Sequence, residues 1–234
     1  AALIKIAVDG GAGEDTILGS NGIDLLLGGD GDDFVDGQQG NDVAFLGAGD
    51  DTFQWDPGDG NDVIEGQDGA DEMVFNGSNI GERMEASANG GRVRFTRDVA
   101  NIVMDLDDVE SIVANTLGGA DTVTVNDVSG TDLTDVAADL AATGGGDDAQ
   151  PDNVVASATN GDDVVSVSGN GPSVQVNGLA ARIAISGAIA GSDRLTVKAL
   201  AGDDVVDATA LRANSALLTA DGGNGDDVLL GGDG

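Results

Sequence analysis

Seven aspartates recur in the first third of the sequence at a spacing suited to binding a hard cation. Aligned on nine residues, blocks begin at positions 10, 19, 28, 37, 46, 57 and 66. The fourth position is always glycine and the sixth is always aspartate: Gly13, Gly22, Gly31, Gly40, Gly49, Gly60 and Gly69, and Asp15, Asp24, Asp33, Asp42, Asp51, Asp62 and Asp71. Carboxylates and main-chain carbonyls are the ligands that Ca²⁺ prefers. We therefore predict several calcium ions in these turns, with Gly11 and Gly29 as further turn glycines.

Each block divides into a six-residue turn and a three-residue strand. Glycine permits positive φ, which lets the turn curl so that its carbonyls point at a cation. The eighth position is always apolar and should point inward, because side chains alternate along a strand; these residues are Ile17, Leu26, Val35, Ala44, Phe53, Ile64 and Met73. Successive strands then lie on opposite walls, so two blocks form one coil and turns stack every eighteen residues.

This stacking predicts which aspartates share a calcium ion. The predicted pairs are Asp15 with Asp33, Asp33 with Asp51, Asp24 with Asp42, and Asp42 with Asp62. A pair of Asp51 with Asp71 is expected to be weaker, because the insertion of Trp55 and Asp56 lengthens the coil. Near the C-terminus, the block 222–230 repeats the unit and adds Gly225 and Asp227.

Composition restricts the function classes. The 234 residues include 43 acidic and 9 basic side chains, for a net charge of −34, which excludes nucleic acid as a partner. Histidine and cysteine are absent, which removes the usual ligands of zinc, copper and haem and the common catalytic bases and thiols. No G-x-S-x-G motif and no apolar run of membrane-spanning length occurs. We predict a protein that is not an enzyme and has no membrane span.

The chain divides into three segments of different regularity. Residues 1–75 carry the nonapeptides, 76–117 form a connecting β segment without calcium register, and 118–234 form a looser solenoid with short β-branched runs about every ten residues. Strands are predicted at 92–96 and 101–106, which either break the calcium register or form a plain connection with a solvated basic strand. The stretch 133–142 is the one with a helical appearance. The predicted fold is all-β, a parallel β-roll or β-helix solenoid.

These blocks resemble the nonapeptide G-G-x-G-x-D-x-U-x of the RTX (repeats-in-toxin) family, specifically over 10–74 and 222–234. The resemblance implies a parallel β-roll with Ca²⁺ in its turns and type I secretion from a Gram-negative bacterium. It also implies folding only after export, hence a secreted or cell-surface location. Five residues replace turn glycines, and their turns are expected to bind less tightly: Ser20, Gln38, Leu46, Pro57 and Gln67.

Three functions fit this sequence. The first is a structural unit of an extracellular matrix, surface layer or biofilm that self-assembles in calcium. The alternatives are a folding and secretion module of a larger RTX protein, or an adhesin segment.

The apolar strand within 3–11 and the partial repeat 231–234 predict a head-to-tail homopolymer. Outward residues Leu25, Leu27, Val43 and Phe45 make one wall apolar, and we expect residues 80–115 or a partner molecule to cover it.

Overall fold

The computed structural model describes residues 5–232 and shows a β-solenoid of two sheets. Its strands are β1 (Ala7–Ala12), β2 (Thr16–Leu18), β3 (Leu25–Asp30), β4 (Phe34–Asp36), β5 (Val43–Ala48), β6 (Thr52–Trp55), β7 (Val63–Asp68), β8 (Glu72–Asn79), β9 (Arg83–Asn89), β10 (Arg92–Arg97), β11 (Ile102–Asp107), β12 (Ser111–Gly118), β13 (Thr122–Val125), β14 (Asp135–Ala142), β15 (Asn153–Ser157), β16 (Val164–Asn170), β17 (Ser173–Asn177), β18 (Arg182–Ser186), β19 (Arg194–Lys198), β20 (Val205–Leu211), β21 (Leu217–Asp221) and β22 (Val228–Leu230). A 3-10 turn, Val99–Asn101, lies between β10 and β11.

The two sheets form opposite walls of the solenoid. Sheet A has the strand order β1-β3-β5-β7-β11-β10-β9-β13-β15-β19-β21, and sheet B has the order β2-β4-β6-β8-β12-β14-β18-β17-β16-β20-β22. In the first coils, strands two apart in sequence pair in parallel, with Leu25 opposite Val43 and Thr16 opposite Phe34. The eighteen-residue coil and the parallel solenoid fold are confirmed.

The core lies between the walls and follows the nine-residue pattern. All seven apolar residues at the eighth position are at most 3% exposed. Trp55 and Phe75 stack with ring centroids 4.1 Å apart, and Phe95 lies 4.8 Å from Phe75. The insertion of Trp55 and Asp56 lengthens the coil, since Val43 pairs with Val63, but the strands stay in register. The inserted tryptophan fills the wider core.

Both sheets contain an antiparallel meander that the sequence analysis did not predict. In sheet A, β10 runs antiparallel to its neighbours β9 and β11, and these three strands lie between β7 and β13. In sheet B, β17 runs antiparallel to its neighbours β16 and β18. Predicted strands at 92–96 and 101–106 are confirmed as β10 and β11. The division of the chain at 75 and 117 stays a prediction.

The helical interpretation of 133–142 is wrong. Residues 135–142 form strand β14, which pairs in parallel with β12 and β18. Val136, Ala138 and Leu140 alternate into the core at 1%, 1% and 4% exposure. Two flanking strands already offer open hydrogen-bonding edges, and pairing with them outweighs the helix propensity of alanine and leucine.

The expected cover of the apolar wall by residues 80–115 is also wrong. Strands β9–β11 extend sheet A beside β7 instead of folding over it. Leu25 and Phe45 stay 40% and 36% exposed. On the other wall, Asp36 at the end of β4 is buried, and its carboxylate accepts hydrogen bonds from the main-chain N–H and the side-chain amide of Gln38.

Two parts of the head-to-tail hypothesis fall on residues that the structure does not describe. Leu3 and Ile4 of the N-terminal strand and Asp233 and Gly234 of the partial repeat lie outside residues 5–232. Strand β1 begins at Ala7, and β22 pairs with β20 at the far end of sheet B.

Candidate calcium sites in the aspartate ladders

The sixth-position aspartates stack into two hydrogen-bonded rows, which we call the position-six ladders. One row lies before the strands of sheet B and contains Asp15, Asp33, Asp51 and Asp71, and the other lies before the strands of sheet A and contains Asp24, Asp42 and Asp62. In each step the N–H of one aspartate donates to Oδ1 of the aspartate in the next coil, over 2.7–2.9 Å. The step from Asp51 to Asp71 keeps this bond across the enlarged coil.

The second carboxylate oxygen of most of these aspartates is buried without a hydrogen-bond partner. This holds for Oδ2 of Asp15, Asp33, Asp42, Asp51, Asp62 and Asp71. Five of these residues, all but Asp15, are at most 3% exposed. A buried carboxylate oxygen that lacks a hydrogen-bond donor is costly unless it binds a cation or a proton.

Glycine at the fourth position lets neighbouring turns approach closely. Gly31 has φ of 125° and its N–H donates to the carbonyl of Ala48 over 2.7 Å. A Cβ at this position would lie 2.5 Å from the carbonyl oxygen of Gly13 in the adjacent turn. Main-chain carbonyls are thereby brought next to the aspartate row, as a calcium site requires.

A second ladder runs along the fifth position of the turns, and sequence reasoning missed it. The N–H of Asp50 donates to Oδ1 of Asp32 over 2.9 Å, and the N–H of Ala70 donates to Oδ1 of Asp50 over 3.0 Å. This position-five ladder is exposed, and its bonds point from the later coil to the earlier one, opposite to the position-six ladder. The recurring Asp-Asp and Asn-Asp dipeptides are the sequence signal that could have revealed it.

At some turns a serine or threonine provides hydrogen-bond donors for the carboxylate oxygen that has no partner elsewhere. Ser20 donates from its N–H to Oδ2 of Asp24 over 2.6 Å and from its Oγ to Oδ1 over 3.1 Å. Thr159 donates from both its N–H and its Oγ1 to Oδ2 of Asp163. Because the protein already satisfies the Asp24 carboxylate, weaker calcium binding at the turn containing Ser20 stays the prediction.

Two other departures from glycine keep the turn conformation. Gln38 and Gln67 have φ of 60° and 81°, in the left-handed region that side chains other than glycine rarely adopt. The turn geometry is therefore imposed by the neighbouring coils at these positions rather than by local preference.

The buried aspartates also repel one another. Burial, reinforced by the carboxylates of Asp42 and Asp59, raises the pKa of Asp62 to about 8, although the hydrogen bond from the N–H of Asp42 acts in the opposite direction. Burial, again reinforced by neighbouring carboxylates, raises the pKa of Asp71 to about 7 and that of Asp42 to about 6. Ionised ladders thus need positive charge to be stable at neutral pH.

Side chains alone do not complete a metal site. Within residues 5–232, no group of three or more Asp, Glu, His or Cys side chains is placed to hold one ion. A cation between two stacked turns would contact a pair of ladder carboxylates and the adjacent carbonyls. This oxygen set fits calcium, which accepts six to eight oxygen ligands in flexible geometry.

The structure brings the N-terminal candidates together as rows. The turns beside Asp15 to Asp71 contain Gly13, Gly22, Gly31, Gly40, Gly49, Gly60 and Gly69. The prediction of Gly11 and Gly29 as turn glycines is wrong, because they lie within β1 and β3, whose six residues exceed the predicted three-residue strand. Gly225 and Asp227 lie at the other end of the solenoid, in the turn before β22. Their roles as individual calcium ligands stay a prediction.

One ladder contains a cationic side chain of its own. Glu82 occupies the ladder position before β9, where the N-terminal coils have an aspartate. Its N–H donates to Oδ1 of Asp121 over 2.7 Å. The guanidinium of Arg97 pairs with Oε1 of Glu82, donates to Oγ of Ser78 over 3.0 Å and lies 5.4 Å from the ring centroid of Trp55. The side chains of Arg97 and Glu82 are 3% and 0% exposed. At this turn the carboxylate has a permanent counter-charge.

The fold and the ladders together define a parallel β-solenoid built on calcium-binding turns. A family model for the RTX calcium-binding nonapeptide repeat matches the chain in four copies, at residues 9–44, 18–53, 58–79 and 219–234, together about a third of its length. The chain thus contains calcium-binding nonapeptide repeats of the RTX type, and the resemblance seen in the sequence is confirmed over these residues. These repeats are structural rather than catalytic, and they are typical of secreted proteins.

No curated protein matches the sequence. Among residues 5–232, no helix is long and apolar enough to span a membrane.

Calcium binding should strengthen as the pH rises from 6 to 8. The pKa values of about 8 and 7 at Asp62 and Asp71 exceed the unfolded value of about 3.9, so the folded chain binds more protons than the unfolded chain. Without calcium, its stability therefore rises as the pH falls through this range. Calcium needs the ionised carboxylates, so its apparent affinity changes in the opposite direction.

We expect more β structure to survive in excess chelator at pH 6 than at pH 8, because protons on the buried carboxylates then take the place of calcium. Circular dichroism in excess chelator at pH 6, 7 and 8 measures this β content. A β content in chelator that is the same at the three pH values, or that is greatest at pH 8, would contradict the prediction.

Proposed function

We propose that this chain is a secreted structural protein that binds several calcium ions and serves as a building unit of an extracellular matrix, surface layer or biofilm of a Gram-negative bacterium. The observation that carries the proposal is the row of buried Oδ2 atoms without hydrogen-bond partners in the position-six ladders. Calcium at about 1 to 10 mM, as found outside cells, is sufficient to fill sites with a dissociation constant near 10⁻⁴ M.

Charge supports both the location and the absence of catalysis. With a net charge of −34, the chain repels itself until cations bind, so folding is favoured after export rather than before it. The same charge disfavours nucleic acid as a partner. The pKa of Asp62, Asp71 and Asp42 is raised by burial among like charges inside stacked turns, a setting for cations rather than for a substrate.

The apolar wall of sheet A supports self-assembly. Leu25 and Phe45 are 40% and 36% exposed, and Leu27 and Val43 beside them are partly exposed. A cluster of this kind on a strongly charged surface is usually covered by a partner. We propose a second copy of the chain as that partner, so that solenoids joined head to tail into filaments associate laterally into sheets.

Light scattering and electron microscopy with and without calcium test the proposal. Millimolar calcium should produce large assemblies that dissolve when a chelator is added. A monodisperse monomer at high protein concentration in millimolar calcium would contradict the building-unit function. That result would favour the alternative, a calcium-dependent folding module or adhesin segment of a larger RTX protein.

Replacing Leu27 and Phe45 with serine should reduce assembly at least tenfold without changing the calcium-dependent fold. Both side chains contribute apolar area to the wall, and neither is fully buried within the solenoid. Leu18→Ser is the matched control, because Leu18 is 56% exposed on the opposite wall. Light scattering measures assembly and circular dichroism checks the fold. If the double variant assembles as well as the control, the wall of sheet A is not the contact surface.

A further inference from the structure

Three turns in the second half of the chain reproduce the calcium-turn geometry of the first half. They are 161–163, 202–204 and 225–227, and each has the sequence Gly-Asp-Asp. The family model matches the last of these turns and not the other two. They are 41 and 23 residues apart, so the eighteen-residue period does not connect them.

Both ladders are present in this stack. The position-six bonds run from the N–H of Asp163 to Oδ1 of Asp204 over 2.8 Å, and from the N–H of Asp204 to Oδ1 of Asp227 over 3.0 Å. The position-five bonds run in the opposite direction, from the N–H of Asp203 to Asp162 and from the N–H of Asp226 to Asp203, both over 2.9 Å. These are the same bonds, with the same polarity, as in the N-terminal coils.

The glycines of the stack also occupy equivalent positions. Gly202 has φ of 133°, and its N–H donates to the carbonyl of Asn224 over 3.0 Å, as that of Gly31 does to Ala48. A Cβ at Gly202 would meet the carbonyl oxygen of Gly161, and one at Gly225 would meet that of Gly202. Carbonyls of adjacent turns therefore approach the row here as well.

The central aspartate lacks a partner for one oxygen. Asp204 is 1% exposed, and its Oδ2 is buried without a hydrogen-bond donor. By contrast, Oδ2 of Asp163 accepts hydrogen bonds from Thr159. Asp204 is thus in the same condition as Asp42 and Asp62 in the N-terminal row.

We propose that the turns 161–163, 202–204 and 225–227 form a second row of calcium sites centred on Asp204. The row rests on the proposed function, since it assumes that the N-terminal ladders bind calcium. It explains how Asp227, isolated in the sequence pattern, obtains a stacked partner. It also gives the second half of the solenoid its own calcium-dependent stability.

Native mass spectrometry of the full chain in calcium counts the ions bound to each variant. Asp204→Asn keeps an oxygen to accept the N–H of Asp163 but removes the charge, and we expect it to bind at least one ion fewer than the unmodified chain. Asp42→Asn tests the N-terminal row in the same way, and Asp132→Asn, at an exposed aspartate, is the control. Equal counts for Asp204→Asn and the unmodified chain, with a reduced count for Asp42→Asn, would overturn the second row alone. An unmodified chain that binds no calcium would overturn the proposed function as well.

Hydrogen exchange measures calcium protection at individual amides of this stack, and it keeps the test valid for a variant that is less stable overall. The N–H of Val205 donates to the carbonyl of Asp163, and that of Val228 donates to the carbonyl of Asp204. With a dissociation constant near 10⁻⁴ M, 1 mM calcium should slow exchange of these amides about tenfold in the unmodified chain, and this slowing should be lost in Asp204→Asn. Calcium protection of these amides that is the same in both proteins would refute the row.

Discussion

In excess chelator, this chain should lose most of its β structure, and about 1 mM calcium should restore it. Each site with a dissociation constant near 10⁻⁴ M contributes about 1.4 to 2.7 kcal/mol in about 1 to 10 mM calcium. Four or five sites then contribute about 6 to 13 kcal/mol, which is comparable to the whole stability of a typical domain. Removing calcium also leaves ladders of buried carboxylates, such as Asp42 and Asp62, without a counter-charge.

Circular dichroism during a calcium titration measures this transition. Magnesium is the control ion, because it prefers stricter octahedral geometry and keeps its water ligands. Sodium chloride at matched ionic strength controls for simple screening of the net charge. A β spectrum that is unchanged in excess chelator, or an equal recovery with magnesium, would contradict calcium-dependent folding.

The first seven blocks show what a repeat predicts well. Side-chain alternation along short strands placed Ile17, Leu26 and Val35 in the core, and all three are at most 3% exposed. Fixed spacing also predicted that Asp33 stacks on Asp15, because turns joined by equal numbers of residues return to the same edge. The nine-residue period alone determines which residues enter the core and which aspartates stack, so neither prediction needed information on long-range contacts.

Strand direction could not be predicted in this way. Strands β9 to β11 have the same alternation as their parallel neighbours, and the hairpin at Asn89 to Arg92 is one more glycine-containing turn in a chain with 39 glycines. Whether such a turn reverses the chain within a sheet or carries it to the opposite sheet depends on which strand edge is available. That is a property of the assembled solenoid.

The candidate site was predicted in part for the same reason. The sixth-position aspartates follow from the motif. By contrast, the stacked turns at Asp163 and Asp204 are separated by 41 residues, which is not a whole number of eighteen-residue coils. The meander β16–β18 lies within that interval and obscures the period. The ion pair of Arg97 with Glu82 joins the last residue of β10 to the residue that precedes β9, and no local sequence signal indicates that this arginine is buried.

Loss of the Arg97 side chain should destabilise the fold by about 3 to 5 kcal/mol even in saturating calcium. Arg97→Met keeps most of the apolar volume of the side chain but leaves the fully buried Glu82 carboxylate without its counter-charge. Removing one partner of a buried ion pair is more destabilising than replacing both, because the remaining charge stays buried and unpaired. It also removes the contact between the guanidinium and the ring of Trp55. Calcium added above saturation should not recover this loss, because the affected turn uses a side chain as its cation.

Denaturant unfolding in about 10 mM calcium measures the free energy of unfolding. Arg182→Met is the matched control: its pair with Asp135 is exposed, with side-chain exposures of 52% and 39%, and should contribute at most about 1 kcal/mol. The double variant Arg97→Met with Glu82→Gln should recover part of the loss, since a neutral amide replaces the stranded charge. If Arg97→Met is no more destabilising than Arg182→Met, the guanidinium does not hold the Glu82 turn together.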